Sequence, residues 1–216
     1  METIAVIDFE TTGLSPAQGA RATEIAAVLV QGGQIVGRFQ SLMNTGAWVP
    51  PFIQHLTGIS NEMLLAAPPA RAVMREVAQF TKGCPLVAHN AAFDRAFWQA
   101  ELVRAECAPD AAHAFACTLL LSRRLYPHAD NHRLGTLAKL HALPSAGRAH
   151  RALADAEVTA HLLLRMQHDV RERFAPALRE RAVSHALLAA MQRVARSHLG
   201  QCVDRALASS ETASAT

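Results

Sequence analysis

The chain is 216 residues long and half hydrophobic, and Lys and Arg outnumber Asp and Glu by 21 to 18. This length and apolar content suit one domain with a full core and at most an appendage. No apolar run approaches a membrane span, no signal-peptide pattern opens the chain, and the 4 cysteines form no CxxC or His-Cys cluster. We therefore expect a cytoplasmic protein without membrane contact, disulfide framework or zinc site, and the slight basic excess favours a nucleic-acid partner.

The first part of the chain predicts three strands. Ile4–Gly13 starts as an apolar, β-branched run, which is typical of a buried strand. Thr23–Gln31 and Gln34–Met43 follow as two further strands, joined by a short hairpin at the two glycines between them. The Pro- and Gly-punctuated segment Trp48–Ile59 predicts a loop.

Further along, short apolar strands alternate with helices. The strands are predicted at Leu86–His89 and Phe115–Leu119. The helices are predicted after Ser60, after Pro68-Pro69 and after Asn90, and at Leu120–Tyr126, Leu134–His141 and Ala152–Gln167. An antiparallel meander followed by such alternation predicts a mixed α/β sandwich.

The pattern changes from Arg171 onward. Apolar residues from Val183 to Leu199 mark one face of a single arginine-bearing helix, and the residues from Ser209 are small and polar. The sequence therefore predicts a domain at 1–170, a helical extension at 171–208 and a disordered tail at 209–216. The extension can pack on its own domain, form a dimer or bind another protein.

Asp8 and Glu10 stand at the end of the first predicted strand. Side chains two apart on a strand point to the same face, with Cα atoms about 6.5–7 Å apart. Burying two carboxylates is costly without compensation, and oxygen ligands favour Mg²⁺ or Mn²⁺. The alternative is a strand whose polar end emerges into solvent, and the pair alone does not decide between the two.

Two further acids and a histidine occur in similar settings. Asp94 and Asp155 are each placed in the first turns of a predicted helix, where acids also occur because they interact favourably with the helix dipole. His150 lies in the loop five residues before Asp155. Taken singly, each residue has an ordinary structural explanation.

Together, three segments resemble the motifs of the DEDDh 3′–5′ exonucleases, the superfamily of the epsilon proofreading subunit of bacterial DNA polymerase III, RNase T and oligoribonuclease. They are Asp8-Phe-Glu10-Thr-Thr-Gly, His89-Asn-Ala-Ala-Phe-Asp94 and His150-Arg-Ala-Leu-Ala-Asp155. The resemblance spans about residues 3–168 and includes the connecting segments Leu56–Ile59 and Ser122–Pro127. It implies a ribonuclease H-like α/β fold, a five-stranded mixed sheet flanked by helices.

The resemblance also implies the site. Asp8, Glu10, Asp94 and Asp155 would bind two divalent metal ions, Mg²⁺ or Mn²⁺, and His150 would be the general base. The residues expected to contact the terminal nucleotide are Thr11, Thr12, Gly13, Leu14, Leu56, Thr57, Asn90 and Phe93. Phe93 has the alternative of packing in the core beside Phe97, and Asn90 of capping its helix.

The expected activity is metal-dependent 3′–5′ hydrolysis at single-stranded ends, releasing nucleoside 5′-monophosphates. DNA in proofreading or repair is favoured over RNA trimming. A catalytically silent nucleic-acid-binding module and a ribonuclease H-like endonuclease are weaker alternatives, because all four acids and His150 are present in the DEDDh arrangement. A DNA polymerase subunit or a second copy of the chain would contact residues 171–216.

Overall fold

A five-stranded mixed sheet forms the centre of the protein, whose computed structural model describes residues 1–144 and 150–214. The strands are β1 (Thr3–Thr11), β2 (Ala22–Gln31), β3 (Gln34–Leu42), β4 (Leu86–Ala88) and β5 (Phe115–Cys117). Their order across the sheet is β3-β2-β1-β4-β5. The first three strands are antiparallel neighbours, whereas β1, β4 and β5 are parallel. The predicted α/β architecture is confirmed.

The predicted hairpin between β2 and β3 is confirmed as well. Gly32 and Gly33 both have positive φ, 60° and 81°. A two-residue hairpin of type I′ needs positive φ at both positions, which glycine adopts without steric cost. The hairpin places β2 between β1 and β3, so β1 lies in the middle of the sheet.

Helices cover both faces of the sheet. They are α1 (Pro51–Thr57), α2 (Asn61–Leu65), α3 (Ala70–Phe80), α4 (Ala91–Arg104), α5 (Thr118–Leu125), α6 (Leu134–Leu140), α7 (Ala152–Arg173), α8 (Ala175–Leu178), α9 (His185–Met191) and α10 (Leu199–Ser214). Buried residues of α3 and α4 form one hydrophobic cluster with the sheet, and those of α7 and the C-terminal helices form the other. Among the described helices, none is both long and apolar enough to cross a membrane.

The segment Trp48–Ile59 differs from its prediction as a loop. It contains helix α1, which begins at Pro51. Proline has no N–H to donate, but the first helical position needs none, and its fixed φ is already helical. The proline that suggested a loop therefore starts a helix.

The single helix predicted through Val183–Leu199 is also wrong, because α9 ends at Met191 and α10 begins at Leu199. Gln192, at the end of α9, turns its amide to the edge strand β5. Its Oε1 accepts from the N–H of Cys117 at 2.7 Å, and its Nε2 donates to the carbonyl of Phe115 at 3.3 Å. One side chain thus satisfies backbone groups that β5, as an edge strand, would otherwise leave unpaired.

The C-terminal helices share a core with the rest of the chain. Leu187, Met191 and Val203 lie in the same buried cluster as Leu163 and Met166 of α7. The domain boundary predicted at residue 170 falls inside α7, which ends at Arg173. Helix α10 extends to Ser214, past the boundary predicted at residue 208, and residues 215 and 216 of the predicted tail lie outside the described residues. Once its first turns are docked, each added residue gains a backbone hydrogen bond.

Candidate active site

Strand β1 places two carboxylates on the face of the sheet that α7 covers. Ile4 and Val6 belong to the cluster under α7, and Asp8 and Glu10 continue the same alternate row along the strand. The row ends beyond the short parallel partner β4, at the edge where the carboxyl ends of β1, β4 and β5 meet. Both acids are partly buried. The prediction that Asp8 and Glu10 share one face is confirmed.

Asp94 reaches the same edge from the other face of the sheet. The chain turns sharply after β4 through Asn90, whose φ is +71°, and α4 begins at the next residue. Asp94 is buried in the first turn of α4, and its Oδ1 accepts a hydrogen bond from the N–H of Phe9 at 3.2 Å. Asp94 therefore fixes the backbone at Phe9, between Asp8 and Glu10.

Asp155 and His150 are brought in by the start of α7. Asp155 lies in the first helical turn, and its Oδ2 accepts from the backbone N–H of His150 at 3.1 Å. His150 is exposed and has a φ of +61°, an uncommon conformation for a residue with a side chain. Potential ligand atoms of Glu10, His150 and Asp155 all lie within 4.8 Å of one another. The structure thus gathers all five predicted residues at one edge of the sheet.

The electrostatics of the site are those of crowded carboxylates. Burial, followed by the charges of Asp94, Asp155 and Glu10, raises the pKa of Asp8 well above its ordinary value. Burial, with Asp155 and Glu24 adding to it, raises the pKa of Glu10 to about 8. Burial likewise raises the pKa of Asp94 to about 7, and it also raises the pKa of Asp155. Each raised pKa indicates that a negative charge is disfavoured at this site unless a cation compensates it.

A fifth carboxylate, which the sequence analysis missed, lies beside these four. Glu24 of β2 is fully buried, yet hydrogen bonds from Arg151, Gln40 and the N–H of Ala152 outweigh that burial and lower its pKa. Arg151 binds it with two nitrogens, Nε at 3.0 Å and Nη2 at 2.8 Å. Ala152 donates to the same carboxylate at 3.1 Å. Glu24 therefore anchors the start of α7 and the residue next to His150.

The signal for this pair was present in the sequence. Glu24 is the only charged residue in the otherwise apolar run Ala22–Val30, and an acid in such a run needs a partner when it is buried. The partner is 127 residues away along the chain. Only the three-dimensional packing of α7 on β2 identifies Arg151.

The residues expected to contact substrate divide into two groups. The Thr11 hydroxyl donates to the Gly13 carbonyl at 2.7 Å, and the Thr12 hydroxyl accepts from the Arg21 N–H at 3.0 Å. The Thr57 hydroxyl, in α1, donates to the Ile53 carbonyl at 2.9 Å. These threonines hold their own segments in shape.

The second group presents side-chain surface. Leu14 is 85% exposed and Leu56 is 43% exposed. Asn90 is exposed and stands at the N-cap position of α4, where its backbone carbonyl accepts from the Phe93 N–H at 2.9 Å but its side chain makes no capping bond. The Phe93 ring packs on Phe97, with ring centroids 4.9 Å apart, but is only partly buried, so it has both a core contact and a free surface.

The carboxylate set fits divalent metal. Its donors are oxygens, with one imidazole nearby, and hard cations such as Mg²⁺ and Mn²⁺ take such ligands. Burial, reinforced by neighbouring acids at Asp8 and Glu10, raises the pKa values of Asp8, Glu10 and Asp94, and a bound positive charge would stabilise their ionised forms.

Comparisons with known proteins agree with this geometry. The profile of the family RNase_T, described as Exonuclease, matches residues 5–163. The chain is 39% identical over 176 residues to the 3′-5′ exonuclease DinG of Bacillus subtilis (strain 168), covering 81% of this chain and 19% of that protein. It is 40% identical over 172 residues to DNA polymerase III PolC-type of the same organism, covering 80% of this chain and 12% of that protein.

Among solved structures, Exonuclease X in complex with 5′ overhanging duplex DNA aligns with a TM-score of 0.61 at 29% identity. The match covers 76% of this chain and 91% of that chain. This likeness confirms the fold expected from the resemblance. The chain spans less than a fifth of the length of the two Bacillus relatives, whose matched regions are 19% and 12% of the whole.

Proposed function

The chain belongs to the RNase_T exonuclease family, and from this premise we propose that it removes nucleotides from the 3′ ends of single-stranded DNA. The products are nucleoside 5′-monophosphates. The observation that carries the proposal is the convergence of Asp8, Glu10, Asp94, His150 and Asp155, drawn from three separate segments, at one edge of the sheet.

Asp8, Glu10, Asp94 and Asp155 would hold two divalent ions, Mg²⁺ or Mn²⁺. When bound, the ions supply positive charge that neutralises the phosphodiester and makes water a better nucleophile near neutral pH. By holding these ions, the carboxylates would determine where the reacting phosphate lies, over the end of β1. One pair of acids lies on β1, within the sheet, and the other two lie on α4 and α7, which pack on opposite faces of that sheet. This arrangement makes the position of the carboxylates rigid.

His150 acts as the general base and takes the proton of the attacking water on a ring nitrogen. Histidine is the side chain that most often serves as a general base in enzymes. Its backbone is held from two directions, since its own N–H binds Asp155 and the next residue, Arg151, binds Glu24. The imidazole itself is exposed, so substrate can reach it.

The terminal nucleotide would lie against Phe93, with Leu14, Leu56 and Asn90 around it and the threonine-stabilised segments behind them. An aromatic ring stacks on any base, which suits an enzyme that must remove all four. DNA is the preferred substrate class in this proposal because the relatives at 39% and 40% identity are named as a 3′-5′ exonuclease and a DNA polymerase.

A digestion assay tests the proposal. Single-stranded DNA and RNA oligonucleotides, labelled at the 5′ or the 3′ end, are incubated with the protein in Mg²⁺, in Mn²⁺ and in EDTA. We expect stepwise shortening from the 3′ end, faster for DNA, that stops in EDTA. Shortening from the 5′ end or internal cleavage would contradict the proposed polarity, and faster RNA loss would move the substrate class to RNA.

A partner protein is a separate proposal. A polymerase subunit or a second copy of the chain would bind through the surface of residues 171–216 that is left after the apolar side packs on α7. Co-purification with a polymerase, and sedimentation of the protein alone, would each test one of these. A monomer that retains no polymerase would exclude both.

A further inference from the structure

A second groove opens from the carboxylate site on the α7 side of the sheet. It has a volume of about 660 Å³ and runs between α6 and α7, with His150 and Asp155 at one end. Its floor is largely apolar and includes Leu119, Leu134 and Val158. This volume lies in the range of about 300–1,000 Å³ that small-molecule sites occupy.

Two cations lie on the wall of this groove opposite α7. Arg133 and Lys139 are both exposed, and among the described residues no acid forms an ion pair with either. Some other arginines do have an acidic partner, such as Arg38 with Glu157 and Arg165 with Asp169. Unpaired cations beside an apolar floor are the pattern that binds a phosphate with its attached nucleoside.

A chain of hydrogen bonds holds the backbone that carries Arg133 in place. Burial lowers the pKa of His89 to about 4, so its ring is neutral and has one donor and one acceptor. Because a carbonyl only accepts, Nε2 carries the proton and donates to the His132 carbonyl at 3.0 Å, and Nδ1 accepts from the Thr118 hydroxyl at 2.9 Å. The His132 ring is held in turn by Ser122, with 3.0 Å between Nδ1 and Oγ. The backbone immediately before Arg133 is therefore preorganised.

The α6–α7 walls of the groove and the Phe93 surface lie on different faces of the sheet, and Leu119 of the floor packs against the same cluster as Phe93. Phe93 packs against the cluster of α3 and α4, whereas Leu134 packs against the cluster of α7. A strand whose terminal phosphodiester rests on the carboxylates has its last nucleoside on one side of them and its next nucleotide on the other. With the last nucleoside at Phe93, the groove between α6 and α7, which begins at His150 and Asp155, offers a path for the rest of the strand.

We propose that the groove between α6 and α7 binds the nucleotides immediately 5′ of the scissile phosphodiester, with Arg133 and Lys139 contacting their phosphates. This proposal rests on the proposed exonuclease function and adds to it the path of the uncut strand. It assigns substrate binding to two residues that touch no reacting atom, so their loss weakens strand binding and leaves the chemical step unchanged.

The test compares two double variants with the wild type. One carries Arg133→Ala with Lys139→Ala, and the matched control carries Arg75→Ala with Lys82→Ala, an exposed pair of the same types that lines a different groove. Fluorescence anisotropy follows the binding of a labelled single-stranded thymidine oligonucleotide, with phosphorothioates at its 3′-terminal linkages, over a series of KCl concentrations. Losing two phosphate contacts should reduce the slope of log K against log salt by about 1.4. The control should keep the wild-type slope.

The second readout is hydrolysis of two substrates. For the oligonucleotide, we expect the groove variant to raise KM and leave kcat within about twofold, since uniform binding is lost. For the p-nitrophenyl ester of thymidine 5′-monophosphate, which has no second nucleotide, we expect no change. A wild-type slope and a wild-type KM in the groove variant would overturn this proposal alone. A wild type that hydrolyses neither substrate would overturn the proposed function instead, and this proposal with it.

Discussion

Glu10 lies directly opposite Glu24 in the ladder between β1 and β2, yet the pKa values of the two side chains shift in opposite directions. Burial and neighbouring acids raise the pKa of Glu10 to about 8. Glu24 is more deeply buried, but its hydrogen bonds, led by that from Arg151, lower its pKa. The negative charge of Glu24 is thus compensated by Arg151, whereas that of Glu10 would be compensated by a bound cation.

We expect Arg151→Met to destabilise the protein by about 3–5 kcal/mol, because it leaves the buried Glu24 carboxylate without its ion-pair partner. Chemical denaturation measures the loss. Arg38→Met is the matched control, since its ion pair with Glu157 is exposed and should be worth at most about 1 kcal/mol.

The double variant Glu24→Gln with Arg151→Met separates the two contributions. Removing both charges should restore a large part of the stability that Arg151→Met loses, because no unpaired charge remains buried. If the double variant is as unstable as the sum of the two single changes, Glu24 and Arg151 are not coupled and the anchoring role is wrong.

In the absence of metal, the site should make stability fall as pH rises. The pKa values of Asp8, Glu10 and Asp94 are raised in the folded protein, so the folded state binds more protons than the unfolded state between about pH 4 and pH 8. The stabilising contribution of these carboxyls is present below the unfolded pKa, about 4, and is lost as pH passes the folded values. Thermal melts in EDTA from pH 5 to pH 8.5 measure this trend.

Divalent metal should reverse that loss, because it stabilises the ionised carboxylates. The increase in Tm on adding Mg²⁺ should therefore be larger at pH 8 than at pH 5.5. Asp8→Asn should reduce both the pH trend in EDTA and the response to Mg²⁺. An equal Mg²⁺ response at both pH values would argue against binding to these carboxylates.

Phe93→Ala should weaken binding of the terminal nucleotide. A stacked base is worth about 1–3 kcal/mol, so KM for a single-stranded oligonucleotide should rise about 5- to 150-fold. Phe80→Ala is the control, because Phe80 belongs to a similar ring pair, 5.8 Å from Phe39, and makes the same kind of packing contact. If both variants lose stability equally and neither changes KM, Phe93 only packs the core.

The C-terminal helices should be required for folding. Deleting residues 174–216 removes Leu178, Leu188 and Val203, among others, from a shared buried cluster. At about 1.5–3 kcal/mol for each buried apolar side chain, the loss exceeds the net stability of about 5–15 kcal/mol that a domain has. Circular dichroism of the shortened chain should show no cooperative melt, whereas deleting residues 210–216 should leave Tm nearly unchanged. A shortened chain that melts cooperatively would make the segment a true appendage.

The sequence predicted the sheet from local patterns, and the resemblance to the DEDDh motifs implied the four acids as one site. Alternating apolar residues place Asp8 and Glu10 on one face, and each remaining acid lies near the start of a helix. The features that the sequence did not predict depend on contacts between residues far apart along the chain. The Glu24–Arg151 pair joins residues 127 apart, and the break after α9 follows from Gln192 bonding to β5, 75 residues earlier in the chain. Periodicity along one segment carries no information on either.

Asp155→Asn tests the central claim most directly. The change keeps the size of the side chain and an oxygen that can accept from the His150 N–H, but removes the negative charge. The measurement is stepwise loss of nucleotides from a 5′-labelled single-stranded DNA in Mg²⁺, with Tm as the check on folding. We expect Asp155→Asn to fold normally and to lose at least about 100-fold in rate, as a participant in the chemical step does. A folded Asp155→Asn variant with the wild-type rate would contradict it.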